Sequence, residues 1–120
     1  MEAFYGILIP FLGTSLGAGL AVIHPVLYRH IYKSGTARFT RWAQNVWGIA
    51  PKGSDEETAA AGIDALAAFI KEIGLPTSFA ELGIPADTDF RAVADSTNVT
   101  AGCCKKLTRD EICEILQECL

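Results

Sequence analysis

Charge of either sign is missing from Ala3 to Tyr28, and no acidic residue stands between Glu2 and Asp55. The four cysteines, Cys103, Cys104, Cys113 and Cys119, make no C-x-x-C pair. That spacing points away from a zinc site or a disulfide framework and toward reduced thiols. A signal peptide is not expected either, because Glu2 occupies the place of a basic n-region and no small-x-small cleavage site precedes the polar sequence. A cytoplasmic protein is the expectation, and the Asn98-Val99-Thr100 sequon then reads as a chance match. No strand-like alternation of apolar and polar residues appears, so the chain is expected to be all-α.

What is present supports one helical domain over residues 1–120. A chain of 120 residues can remove roughly two-thirds of its unfolded surface from water. With 50% hydrophobic residues, 20% charged residues and a net charge of −4, it is neither disordered nor basic overall, and no nucleic-acid partner is expected. The cations are nonetheless uneven: Arg29, Lys33, Arg38, Arg41 and Lys52 form a run free of acids. Without an accompanying aromatic or glycine motif, that run reads as a solvated face complementing the acidic later helices.

Residues 1–15 are poor in helix signals, since Gly6, Pro10 and Gly13 interrupt an aliphatic run. From Leu16 to Lys33 the pattern is helical, with Pro25 expected to kink it and Ser34-Gly35 to end it. Phe39, Trp42, Ala43, Val46 and Trp47 then recur at i, i+3, i+4, i+7 and i+8, one amphipathic helix closed by Gly48. The two tryptophans of that stripe are read as core rather than as a ligand platform. Ser54 and Glu57 have capping-box spacing at the start of a third helix. Its buried stripe is Ile63, Leu66, Ala67, Ile70 and Ile73, and its alanines (Ala59, Ala60, Ala61, Ala65, Ala68) permit another helix to approach closely. Ser78 and Glu81 repeat the capping spacing in a short turn that ends at Gly83. Asp87 is the expected cap of a helix of about three turns bearing Phe90, Val93, Ala94 and Thr97. Thr108 and Glu111 open the last helix, striped by Ile112, Ile115, Leu116, Cys119 and Leu120.

Four stretches in this order, GAGLAVIHP (Gly17–Pro25), ARFTRWAQNVWGI (Ala37–Ile49), GIDALAAFIKEIGLPTSFAELGI (Gly62–Ile84) and LTRDEICEIL (Leu107–Leu116), resemble the C-terminal helical part of iron-containing alcohol dehydrogenases, in the NAD(P)H-dependent butanol-dehydrogenase branch. The resemblance covers residues 16–120 and leaves 1–15 unmatched. It implies an oxidoreductase with an N-terminal nucleotide-binding α/β domain and a C-terminal helical domain. In such enzymes a divalent metal such as iron or zinc, held by one aspartate and three histidines, polarises the oxygen while hydride passes to or from NAD(P)H.

The helix containing GAGLAVIHP begins His-Gly in that family, and the histidine is a metal ligand; here Leu16 takes its place. Leucine has no lone pair to give. The other family ligands fall upstream of the matching region, and there is no G-G-G-S-type phosphate loop or βαβ pattern for a pyrophosphate. The resemblance therefore implies a truncated form without catalytic, cofactor-binding or metal-ligating residues of its own, inactive alone. His24 and His30 do not repair the metal site, because six residues place them about 600° apart around a helix, on different faces. A hydrogen-bonded or interfacial imidazole is the expectation for each. The cysteines have no evident activating neighbours except Lys105 and Lys106.

Two other readings stand beside this one. A helix apolar all round must be covered, so a self-associating module is expected to form a homo-oligomer through residues from about 4 to 27. The uncharged stretch 3–28 also reaches the length of a membrane span, with Gly13-x-x-x-Gly17 at helix-dimer spacing, although Pro10, Pro25 and the family match of its second half oppose a membrane anchor.

Overall fold

A computed structural model describes residues 15–97 and 103–120. The segment 1–14, the sequon at 98–100 and Gly102 lie outside the described residues, as does the first part of the stretch expected to self-associate. All regular structure described is helical: α1 (Ser15–Ile31), a 3-10 turn (Tyr32–Ser34), α2 (Thr36–Trp47), α3 (Asp55–Glu72), α4 (Phe90–Ser96) and α5 (Arg109–Glu118). None of the described helices is long and apolar enough to cross a membrane.

The apolar α1 is the spine. It touches α3 on one side and α5 on the other, while α2 pairs with α3 and α4 pairs with α5. Among the described helices the two pairs meet each other only through α1, which is why a helix without a polar face suits this position. It continues through Pro25. Its regular α turns stop at Ile31, two residues before the expected end, and the 3-10 turn carries the chain to Gly35.

The α2 and α3 helices meet at small residues. Ala43, Ala59 and Ile63 are fully buried, and a Cβ placed on Gly62 would lie 2.5 Å from the Ala43 Cβ and 3.0 Å from its Cα. The alanine-rich face thus does admit a close neighbour, with the contact centred on Gly62. The loop between them is closed by two buried threonines: the Thr40 hydroxyl donates to the Asp55 carbonyl at 2.9 Å, and the Thr58 hydroxyl accepts from the Lys52 N–H at 2.9 Å. Gly48 ends α2 in the left-handed region (φ 64°), and the N–H groups of Gly48 and Ile49 bond back to the Gln44 and Ala43 carbonyls. Aromatic rings line the seam with α1. Tyr28 meets Phe39 and Trp42 edge-on at 5.2 and 5.8 Å, and Trp42 leads on through Trp47 to Phe69. The buried Trp47 Nε1 finds no acceptor among the described residues, so packing alone holds that ring.

On the other side Val22, Phe79, Phe90 and Cys119 form a buried cluster, with Phe79 and Phe90 stacked at 5.8 Å. The Phe79 N–H donates to the Cys119 carbonyl at 2.7 Å, fastening the long connection to the C-terminus.

Several sequence expectations are corrected in detail. Val46, Val93 and Leu120 stand in apolar stripes yet are 62%, 45% and 39% exposed: Val93 lines an open groove, and Leu120 lies beyond the end of α5. Asp89, not Asp87, caps α4 through the Ala92 N–H at 3.0 Å. Thr88 is drawn into a turn on the Pro85 carbonyl, which delays the helix by two residues. It also leaves α4 only 7 residues long, about two turns. At Ser78 only the forward half of the box forms, since Glu81 accepts from Thr77 instead. Thr108 and Glu111 complete theirs in both directions.

Candidate functional site

Leu16 lies in the first turn of α1. One α-turn before Tyr28, His24 stacks on that ring with centroids 5.3 Å apart and planes 10° apart. Burial pushes its pKa below the ordinary histidine value, favouring the neutral imidazole. His30 instead places Nε2 at 3.1 and 3.0 Å from the two carboxylate oxygens of Glu118. The two rings thus engage different partners, as their spacing requires. Among the described residues no group of three or more His, Cys, Asp or Glu side chains is gathered so as to hold a metal ion. The described donor set does not fit the family's metal centre.

Two of the cysteines are poor candidates for a nucleophile. Cys119 is buried, and desolvation, helped by the nearby Glu118 charge, pushes its thiol up to about 11. Burial also raises Cys104, with Cys103 adding to the effect. Lys105, a candidate activator, has its ammonium 2.6 Å from Glu111, and this hydrogen bond is the main reason the Glu111 carboxyl falls below its ordinary value. A catalytic cysteine needs a cation left free to stabilise its thiolate.

Of the basic run, Arg29 reaches Asp64 of α3 at 2.8 Å, both side chains being solvated. That pairing is the expected one between an early cation and a later acidic helix. Arg38 and Arg41 stand exposed on α2 beside Trp42, Asn45 and Val46.

The described grooves are mainly apolar. One of about 400 Å³ runs between α1, α4 and α5, lined by Ile23, Leu27, Val93, Ile112 and Leu116, with Lys105 among its polar groups. A second of about 480 Å³ lies between Tyr28, Phe39, Trp42 and the Cys103-Cys104 pair. Such surfaces can hold apolar groups, but they bring no acid, base and nucleophile together. Sequence periodicity missed both grooves, because it assigns residues to a face without showing how far a neighbouring helix covers that face. The His30 to Glu118 contact, across 88 positions, left no local signal either.

Comparison with known proteins places this geometry. The model of the Fe-containing alcohol dehydrogenase family, C-terminal part, matches residues 9–120, reaching back into the segment expected to be unmatched. The chain is 34% identical over 105 residues to "Probable NADH-dependent butanol dehydrogenase 1" of Bacillus subtilis, covering 85% of this chain and 27% of that protein. It is 30% identical over 108 residues to "Probable NADH-dependent butanol dehydrogenase 2" of the same organism, with the same shares of each chain. The crystal structure of NADH-dependent butanol dehydrogenase A from Thermotoga maritima superposes with a TM-score of 0.75 at 29% identity, over 88% of this chain and 29% of that one. The chain therefore spans little more than a quarter of the length of these relatives, and it belongs to the iron-containing alcohol dehydrogenase family, matching the family's C-terminal helical part.

Proposed function

We propose that this chain corresponds to the helical, metal-side part of an NAD(P)H-dependent, butanol-type alcohol dehydrogenase, and that these 120 residues alone carry out no hydride transfer. The observation that carries this reading is Leu16 at the start of α1, in place of the ligand histidine implied by the family resemblance. His24 and His30, the nearest imidazoles in sequence, are turned to Tyr28 and Glu118. A leucine cannot polarise a carbonyl, and the described donors are not arranged to do so in its stead. The purified chain, supplied with NADH, butanal and ferrous or zinc ion, is expected to oxidise no NADH above the protein-free control. Metal-dependent turnover would overturn the proposal.

A second role is favoured by Ile23 and Leu27, which α1 turns into an open apolar groove. In this reading the chain self-associates through residues from about 4 to 27, a second copy covering the apolar surface. Light scattering is expected to show a dimer or larger species. A stable monomer at high concentration would count against it.

A further inference from the structure

We propose that Cys103 and Cys104 form a two-sulfur site for a soft, thiophilic centre of the trivalent-arsenical class carrying an apolar substituent. Both thiols are free and exposed. Cys104 is nevertheless seated: its Sγ lies 3.6 Å from the Ile31 carbonyl at the end of α1. It also packs so closely on Gly35 that a Cβ there would stand 3.1 Å from the sulfur. Cys103, its neighbour in the chain, lines the same groove as Cys104.

Three chemistries compete for such a pair. A disulfide is disfavoured, because consecutive Cα atoms lie about 3.8 Å apart whereas disulfides usually span about 4.4–6.8 Å. Nucleophilic catalysis needs a stabilised thiolate, whereas burial and Cys103 push the Cys104 thiol the other way and Lys105 is committed to Glu111. Zinc needs about four ligands, and no third donor joins the pair among the described residues. A ligand satisfied by two sulfurs fits what remains, and soft centres prefer sulfur. The pair also borders the groove walled by Tyr28, Phe39 and Trp42, where an aryl or alkyl substituent would leave water.

The step balances without an oxidant. An arsenoxide, R–As=O, condenses with both thiols: two As–S bonds form while the As=O bond and both S–H bonds break. The two protons leave with the oxygen as water, and arsenic stays trivalent.

The test is native mass spectrometry of the intact chain with phenylarsine oxide, chased first with excess monothiol and then with a dithiol. One phenylarsenic per chain, stable to the monothiol and removed by the dithiol, is expected. C103S and C104S should each weaken retention by roughly 10²-fold or more, because linking two binding groups multiplies affinity by about 10²–10⁴; C113S should change nothing. Because Cys103 is exposed, C103S keeps the comparison readable should C104S disturb the seat on Gly35. Release by monothiol alone, undiminished retention in C103S, or loss of retention in C113S would overturn the site.

Discussion

Gly62 shows how much one hydrogen can decide. With the Ala43 Cβ only 2.5 Å from where a Cβ on Gly62 would stand, Gly62→Ala must push α2 from α3 or distort both. We expect a loss of about 1–3 kcal/mol, read as a lower urea midpoint with unchanged helical circular dichroism at low urea. Cys119 gives a second residue-scale prediction, this one in pH. Its folded-state pKa is raised from 9.0 to about 11, so the folded chain holds the proton more tightly than the unfolded one. Its contribution is fully present below the unfolded value and is lost as pH rises through the folded one. Stability should fall between about pH 9 and 11, by an amount of order 2 kcal/mol. Other groups also titrate there, so urea melts at pH 8 and 10.5 should compare the chain with Cys119→Ala, whose fall should be smaller. Neither effect is legible in sequence: Gly62 sits among alanines with nothing to mark it as the contact point, and Cys119 belongs to a stripe without showing that it is 2% exposed.

At the scale of elements, local chemistry reads well where it is self-contained. The Thr108 and Glu111 box needs only four consecutive residues, and it forms as their spacing predicts. Thr108→Ala should remove the acceptor for the Glu111 N–H and cost about 1 kcal/mol. Amide exchange should reveal it as faster exchange confined to the first turn of α5. Asp87 failed as a cap for the opposite reason: the turn set by Pro85 and Thr88 competes for the same residues, and local spacing cannot rank the two. Glu81 was likewise diverted to Thr77.

Across the whole molecule, the C-terminal helix is held by two kinds of contact of unequal weight. His30 and Glu118 meet at the surface, their side chains 22% and 56% exposed, and Glu118→Gln should cost no more than about 1 kcal/mol. Phe79 is buried among Val22, Phe90 and Cys119. Phe79→Ala should cost about 3–5 kcal/mol and open both the long connection and α5. Thermal melts of the two variants should rank accordingly; equal losses would show that the apolar cluster does not carry this half of the fold.

The all-α class, the approximate helices and the family are legible without coordinates, because periodicity, caps and ordered motifs are all written in neighbouring residues. That the largely apolar α1 serves as a spine between two helix pairs emerges only from the packing. It alone turned His24 and His30 to separate partners and left apolar grooves beside α1. Those outcomes depend on which faces meet across distant segments and how closely they approach, quantities that helical spacing along a chain does not contain.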